Sequence, residues 1–313
     1  EADRSATRAQ YWLARAQLET NALPREVILK NLHDVSLQRD YYSFLAADYL
    51  RQPYKMNAQQ YSLDGNFLER FKLLPAVTRA QELLINGQIT EARREWYQVT
   101  LNFNEDQHYT AAHYAHQIGW DSQAIRSAIS AKRWHDLELR FPLSFEEDFE
   151  KIAQLRNLNS NWLIAMARQE SALTADAVSP AGARGLIQIM PDTATAVARK
   201  HNIAYQSRQQ LFDPEKNIEL AGAYITSLLE RFDGNNIYAT AAYNAGPYRV
   251  EKWLNTTRDM PIDVWIESIP FYETREYVKN VLAYSVIYAH RRHQYGLQMA
   301  TVNYLPKQNP AAK

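Results

Sequence analysis

Apolar residues recur at helical spacing along most of this chain, and almost nowhere do they alternate as a strand requires. In the first seventy residues Tyr11, Leu13, Ala14 and Ala16 form one such set, and Tyr41, Tyr42, Phe44, Leu45, Ala46 and Leu50 another. Pro24, Pro53 and Pro75 punctuate the pattern, so the region reads as helix pairs. A weak repeat follows. Leu83–Gly87 turns into Ile89, Ala92 and Trp96, while Ala115–Gly119 turns into Ala124, Ile125 and Ala128, with Gly87 and Gly119 as C-cap candidates in equivalent places. Further on, Asp213 and Pro214 signal a helix start, and Ile218, Ala221, Ile225, Leu228, Leu229 and Phe232 line its inner face up to Gly234. Ser268 and Pro270 predict a last helix with Val278, Val281, Leu282 and Ser285 turned inward. The pattern predicts an all-α chain with at most a very small β element.

The stretch from Trp162 to Pro191, WLIAMARQESALTADAVSPAGARGLIQIMP, carries the candidate chemistry. Leu163, Met166 and Ala167 share one face of a helix capped by Asn159 or Ser160, and the next position on that face is Glu170. Asn161, Ala165, Arg168 and Gln169 make up the expected polar side, which leaves Glu170 pointing where the core residues point. Desolvation and the negative end of the helix dipole both disfavour a carboxylate there and raise its pKa. A carboxyl that keeps its proton near neutrality suits a general acid. An ordinary solvated surface glutamate is the competing reading. Gln188 is the one polar residue inside the apolar run Leu186–Met190, an amide either bonded within the core or aimed at a ligand. The nearest later acids, Asp176 and Asp192, read as a loop residue and a helix start.

The strings ARQES, SPAGARGLIQIMP, AAYNAGP and IESIPFYETREYVKNVL, in this order and spacing, resemble the catalytic domain of soluble lytic murein transglycosylases of the Slt type. The resemblance spans most of residues 141–290. It implies a lysozyme-like helical domain over 141–313, preceded by the last portion of an α-superhelix over 1–74 and a helical linker over 75–140. It also implies cleavage of the β-1,4 bond between N-acetylmuramic acid and N-acetylglucosamine in peptidoglycan. In that family the glutamate of the ES motif, here Glu170, acts as acid and then as base, and the muramoyl C6 hydroxyl closes on C1 to leave a 1,6-anhydro end. Such a reaction takes its nucleophile from the substrate and runs with one carboxylate, where ordinary glycosidases need two.

The same resemblance assigns Ser179, Gln188, Met190, Tyr243, Asn244, Glu273 and Tyr277 to the glycan cleft. On residues alone, Glu273 is equally an acid placed favourably in the first turn of a helix. The chain departs from the family pattern at Tyr248, where glycine is common and a tyrosine narrows the cleft edge, and at Ile187, where methionine is common. A hydrolytic muramidase and a peptidoglycan-binding scaffold are the two rival readings.

Composition narrows the partners. Lys+Arg and Asp+Glu number 35 each, and the pI is near 7.3, which gives no electrostatic case for nucleic acid or an anionic membrane. No apolar run reaches the length of a membrane span. The absence of cysteine excludes disulfides and thiolate metal sites, and no metal or organic cofactor is expected. The expected partners are glycan strands and other cell-wall enzymes. The expected location is periplasmic, the chain beginning at Glu1 with no signal peptide of its own.

Overall fold

The structure is a computed structural model and describes residues 2–295 and Met299. Three helices open the chain: α1 (Ala2–Thr20), α2 (Arg25–Ser36) and α3 (Tyr41–Leu50). An irregular stretch leads to α4 (Gly65–Lys72), α5 (Pro75–Ile85), α6 (Ile89–Thr100), α7 (Glu105–Gln117), α8 (Asp121–Ser130) and the single turn α9 (Leu137–Arg140). Then follow α10 (Glu146–Arg156), α11 (Ser160–Ser171), α12 (Pro191–His201), α13 (Pro214–Arg231), α14 (Asn236–Ala245), α15 (Pro247–Thr257), α16 (Ile262–Ser268) and α17 (Tyr272–Arg291). Among the described residues β structure is confined to two antiparallel bridges, Val178 with Arg184 and Arg184 with Ile189.

The helices pack around two main cores. The larger joins α1–α3, through Tyr11, Ile28, Leu32, Tyr42, Phe44 and Leu45, to the buried faces of α10, α11, α13, α14, α16 and α17. The second gathers Phe71, Val77, Ala92, Trp96, Tyr114 and Trp120. Phe71 lies on α4, so this helix packs with the middle region. The glycine pair of the sequence repeat closes two helix hairpins. Gly87 (φ 72°) follows α5, and Gln88 N donates to Leu83 O at 2.8 Å; Gly119 (φ 76°) follows α7, and Trp120 N donates to Ala115 O at 2.8 Å. Both are helix ends that need a left-handed residue.

Two local expectations change. Of AAYNAGP, which by itself looks too small and too punctuated to pack, Ala241–Ala245 form the C-terminal half of α14, Gly246 caps it and Pro247 opens α15, with Ala241 and Ala242 fully buried. The last helix starts at Tyr272 with Phe271 as its N-cap, two residues beyond Pro270, and Ser285 is only half-buried. The polar tail from Gln294 to Lys313 lies outside the described residues apart from Gln294, Tyr295 and Met299. Met299 is buried, and its N–H donates to the Tyr54 hydroxyl at 3.0 Å.

One buried amide ties the loop after α11 to α13. Asn217 is fully buried; its Nδ2 donates to Arg184 O and Leu211 O, both at 2.9 Å, and its Oδ1 accepts from Ile187 N at 2.9 Å. Gly185 (φ 79°) passes so close that a Cβ there would stand 2.1 Å from Leu211 O and 2.2 Å from Asn217 Nδ2. Asn217→Ala leaves two backbone carbonyls and one N–H buried without partners, and is expected to cost about 2–4 kcal/mol of stability. A fall in melting temperature with faster amide exchange across 184–188 is the expected result; an unchanged melting temperature would contradict the pinning role.

Candidate active site

Glu170 occupies the last turn of α11, and the reason for its burial differs from the one expected. The helix has no polar side: every residue from Asn161 to Arg168 is buried. Arg168 Nε donates to Arg140 O at 2.8 Å, and its guanidinium lies over Phe141 (5.2 Å) and Tyr284 (5.6 Å). Asn161 accepts from Arg292 at 2.9 Å. The cap is as expected, with Asn159 Oδ1 accepting from Trp162 N at 3.1 Å. The helix therefore runs through the centre of the domain, and its C-terminal turn holds Glu170 half-buried beside Tyr243 and Tyr277.

The helix stops immediately after the acid. Ala172 (φ 52°) and Leu173 (φ 60°) are both left-handed, a conformation that costs non-glycine residues free energy and persists only where the surroundings enforce it. Ser171 does the enforcing. Its hydroxyl donates to Leu186 O at 2.8 Å and accepts from Thr174 N at 3.0 Å, so the residue beside the acid fastens helix to loop.

Glu170 is half-buried, and burial pushes its pKa up to about 7. The Tyr277 hydroxyl facing it pulls the value part of the way back, without reaching the geometry of a full hydrogen bond, and the charge of Glu273 raises it further. Tyr243 and Tyr277 respond in kind. Burial first, and then the neighbouring Glu170, raise both phenols well above their ordinary value, so both remain neutral. The Tyr243 hydroxyl donates to Ile187 O at 2.7 Å, and its ring lies 5.5 Å from that of Tyr224.

The other sequence candidates divide into two groups around this centre. Asn244, the neighbour of Tyr243, accepts from the Thr274 hydroxyl at 2.6 Å, beside Glu273, which is exposed in the first turn of α17. Ser179, Gln188 and Met190 belong to the loop. Ser179 Oγ accepts from Ala183 N at 3.0 Å. Gln188 (φ 49°) donates both amide hydrogens to the loop, to Gly185 O at 2.7 Å and Ala177 O at 3.2 Å, so a ligand would meet its carbonyl oxygen. Met190 is 39% exposed at the loop's end.

Asp176 and Asp192 are not free carboxylates beside the acid. Asp176 is held in a two-pronged ion pair by Arg93 of α6, and Asp192 is exposed in the first turn of α12. Tyr248 stands 78% exposed with the Arg231 guanidinium 4.5 Å over its ring. Among the described residues no cluster of His, Asp or Glu is built to hold a metal ion. Sequence reasoning missed Asn217, Ser171 and Thr274. Asn217 left a signal, as the polar residue beside Ile218 on the inward face of α13; Ser171 and Thr274 lie within the quoted ARQES and IESIPFYETREYVKNVL strings, but nothing local marks what they bond.

Residues 147–266 match the model of the transglycosylase SLT domain, residues 71–137 that of the soluble lytic murein transglycosylase L domain, and residues 268–296 that of the soluble lytic transglycosylase helical domain. The chain is a member of the Slt-type family. It is 36% identical over 284 residues to the soluble lytic murein transglycosylase of Escherichia coli K12, an alignment covering 89% of this chain and 43% of that protein. The crystal structure of the 70 kDa soluble lytic transglycosylase from Escherichia coli superposes with a TM-score of 0.86 at 33% identity, covering 93% of this chain and 48% of the other. An inactive glutamate-to-glutamine mutant of lytic transglycosylase Slt from Pseudomonas aeruginosa superposes with a TM-score of 0.85 at 42% identity, covering 92% and 47%. This Slt-type chain thus spans less than half the length of these relatives. No helix among the described residues is long and apolar enough to cross a membrane.

The raised pKa has a sign that can be measured. Above about pH 7 the folded protein must hold an ionised carboxylate in a site that resists it, whereas the unfolded chain ionises the same group near its ordinary 4.5. Glu170→Gln removes that cost. The variant is expected to be more stable than the parent at about pH 8 by about 1–3 kcal/mol, with the difference closing towards about pH 4. Thermal melts of the two proteins across this range check it, and a constant difference would mean an ordinary carboxylate.

Proposed function

We propose that this chain cleaves the β-1,4 bond between N-acetylmuramic acid and N-acetylglucosamine in peptidoglycan and leaves a 1,6-anhydromuramoyl end, with Glu170 as acid and then base. The observation that carries the reading is a carboxyl, protonated to about pH 7, at the end of the buried helix of an SLT domain. A neutral acid can donate its proton to the leaving glycosidic oxygen; an ionised one cannot. As the bond breaks, positive charge grows at C1, and the substrate's own acetamido group is placed to share it. Glu170, now a carboxylate, faces the Tyr277 hydroxyl, whose dipole favours the charged form. It then takes the proton of the muramoyl C6 hydroxyl while that oxygen closes on C1, which returns Glu170 to its acid form with no water consumed.

The engagement of Asp176 by Arg93 and the exposure of Asp192 in the first turn of α12 leave Glu273 as the one other acid among the described residues whose charge reaches Glu170; the single-carboxylate route rests on the family kinship, hydrolysis being the route that would use a second carboxylate to activate water. Tyr243, fastened to Ile187 O, sets the floor of the site between acid and loop. Asn244 and the Gln188 carbonyl oxygen are assigned to the acetamido and hydroxyl groups of the sugars, with Ser179 and Met190 at the loop edge and Glu273 at the mouth. The kinship with proteins named murein transglycosylases supports peptidoglycan as substrate and the periplasm as its location. Other cell-wall enzymes remain its expected partners.

Mass spectrometry of soluble muropeptides released from purified peptidoglycan tests this directly. The expected products are one water lighter than hydrolytic muropeptides and resist borohydride reduction, and Glu170→Gln releases none. Reducible products would replace the proposal with a muramidase. The rate is also expected to fall as pH rises through about 7, where Glu170 loses its proton.

A further inference from the structure

The side of α17 turned away from Glu170 carries a buried cation that the proton-transfer chemistry does not use. Lys279 Nζ donates to the Tyr42 hydroxyl of α3 at 3.0 Å, with Glu276 of its own helix at 2.5 Å and Glu267 of α16 at 3.5 Å. The same Nζ stands 5.3 Å from the centre of the Tyr42 ring. The Tyr42 hydroxyl donates in turn to Glu267, and Arg8 of α1 reaches the other oxygen of that carboxylate at 2.6 Å. Displacing the ammonium from these partners would leave a charge out of water and unpaired, so the position of this side chain is strongly held. Arg275, one turn earlier on α17, adds a second tie, its Nη1 donating to Glu267 O at 3.1 Å.

Lys279 lies two residues beyond Tyr277, which on an α-helix sets the two side chains about 200° apart. One is held by α3 and α16 while the other faces Glu170, so a single rotational setting of the helix must serve both. Because side chains reach about 5–6 Å from a helix axis, a turn of about 10° carries a tyrosine hydroxyl about 1 Å. Misplacement by about 1 Å can cost about a hundredfold in rate. Tyr277 stands on this margin. Its hydroxyl is buried and favours the ionised form of Glu170, yet stops short of a full hydrogen bond.

We propose that Lys279 and Tyr42 are positioning residues for the proton transfer, setting the rotation of α17 at which the Tyr277 hydroxyl faces Glu170. This rests on the function proposed above and gives the contacts between α3 and α17 a catalytic consequence. Helices α1 and α3 then contribute to turnover through α17. Glu170 passes through its carboxylate form between the two proton transfers, and a Tyr277 hydroxyl turned away would leave that carboxylate without the dipole that favours it.

Initial rates on soluble, uncross-linked peptidoglycan strands test this with Tyr42→Phe, Lys279→Met and Lys279→Arg, each made also in a Tyr277→Phe background. Tyr42→Phe is expected to lower kcat about three- to tenfold and Lys279→Met about ten- to a hundredfold, with KM within about twofold of the parent. The alkaline limb of kcat should move to higher pH in both, since Glu170 loses a group that holds its pKa down. Lys279→Arg should keep more of the rate than Lys279→Met. With Tyr277→Phe already in place the same substitutions should have little further effect, because they act through that hydroxyl. Tyr42→Phe retains the ring and decides the matter where Lys279→Met proves too unstable to assay. Parent kcat and an unmoved limb in Tyr42→Phe, or a loss of equal size with and without the Tyr277 hydroxyl, would overturn the positioning role while leaving anhydro product formation intact. Reducible products with the coupling to Tyr277 preserved would instead remove the proposed reaction.

Discussion

The structure depends on keeping one carboxyl away from water at the end of a helix that is itself buried on every side. A desolvated carboxylate costs free energy, so the protein holds the proton, and the cost falls on whatever keeps the surroundings of Glu170 in shape. Ser171 ties the end of α11 to Leu186, Tyr243 ties α14 to Ile187, and Asn217 ties α13 to Arg184, Leu211 and Ile187. All three anchor the same few residues of loop backbone. The loop has little regular hydrogen bonding of its own, and these borrowed bonds let it adopt one conformation against Glu170.

The regions before the SLT domain brace this arrangement from outside. On α17, Lys279 is buried; its Nζ lies 3.0 Å from the Tyr42 hydroxyl of α3 and 3.5 Å from Glu267 of α16, while Arg8 of α1 reaches Glu267 at 2.6 Å. Burial alone would raise the Glu267 pKa. The Tyr42 hydrogen bond and the charges of Lys279 and Arg8 outweigh it and hold the carboxyl below its ordinary range. A lysine this deep is tolerable only because it is paired, and removing one partner would leave a buried charge alone. The network joins three separate helices to the one that bears Tyr277 and Glu273. On the other side, Arg93 of α6 reaches Asp176 in the loop, so the middle region also touches the segment that follows the acid.

Much of this was legible in the residue order. Helical spacing, proline punctuation and the glycines at 87 and 119 act within one turn of the chain, and the structure follows them closely. Local rules also placed Asp213 as the cap of α13 and Asn159 as the cap of α11. They erred where packing overrides periodicity. Asn161 and Arg168 looked like a solvated face, but partners far along the chain, Arg292 and Arg140, made their burial affordable. AAYNAGP looked too small to pack, yet alanines are what a crowded helix crossing accepts.

The sequence by itself determined that the chain is helical, that Glu170 falls on the inward face of its helix and which family its motifs resemble, because backbone propensity, capping and motif spacing are properties of neighbouring residues. Only the tertiary structure decided that Glu170 keeps its proton, that Asp176 is occupied, and that the hydrogens of Gln188 are spent on its own loop. Desolvation, ion pairing and hydrogen-bond satisfaction depend on groups that meet across tens of residues, and no local pattern records which of them will meet.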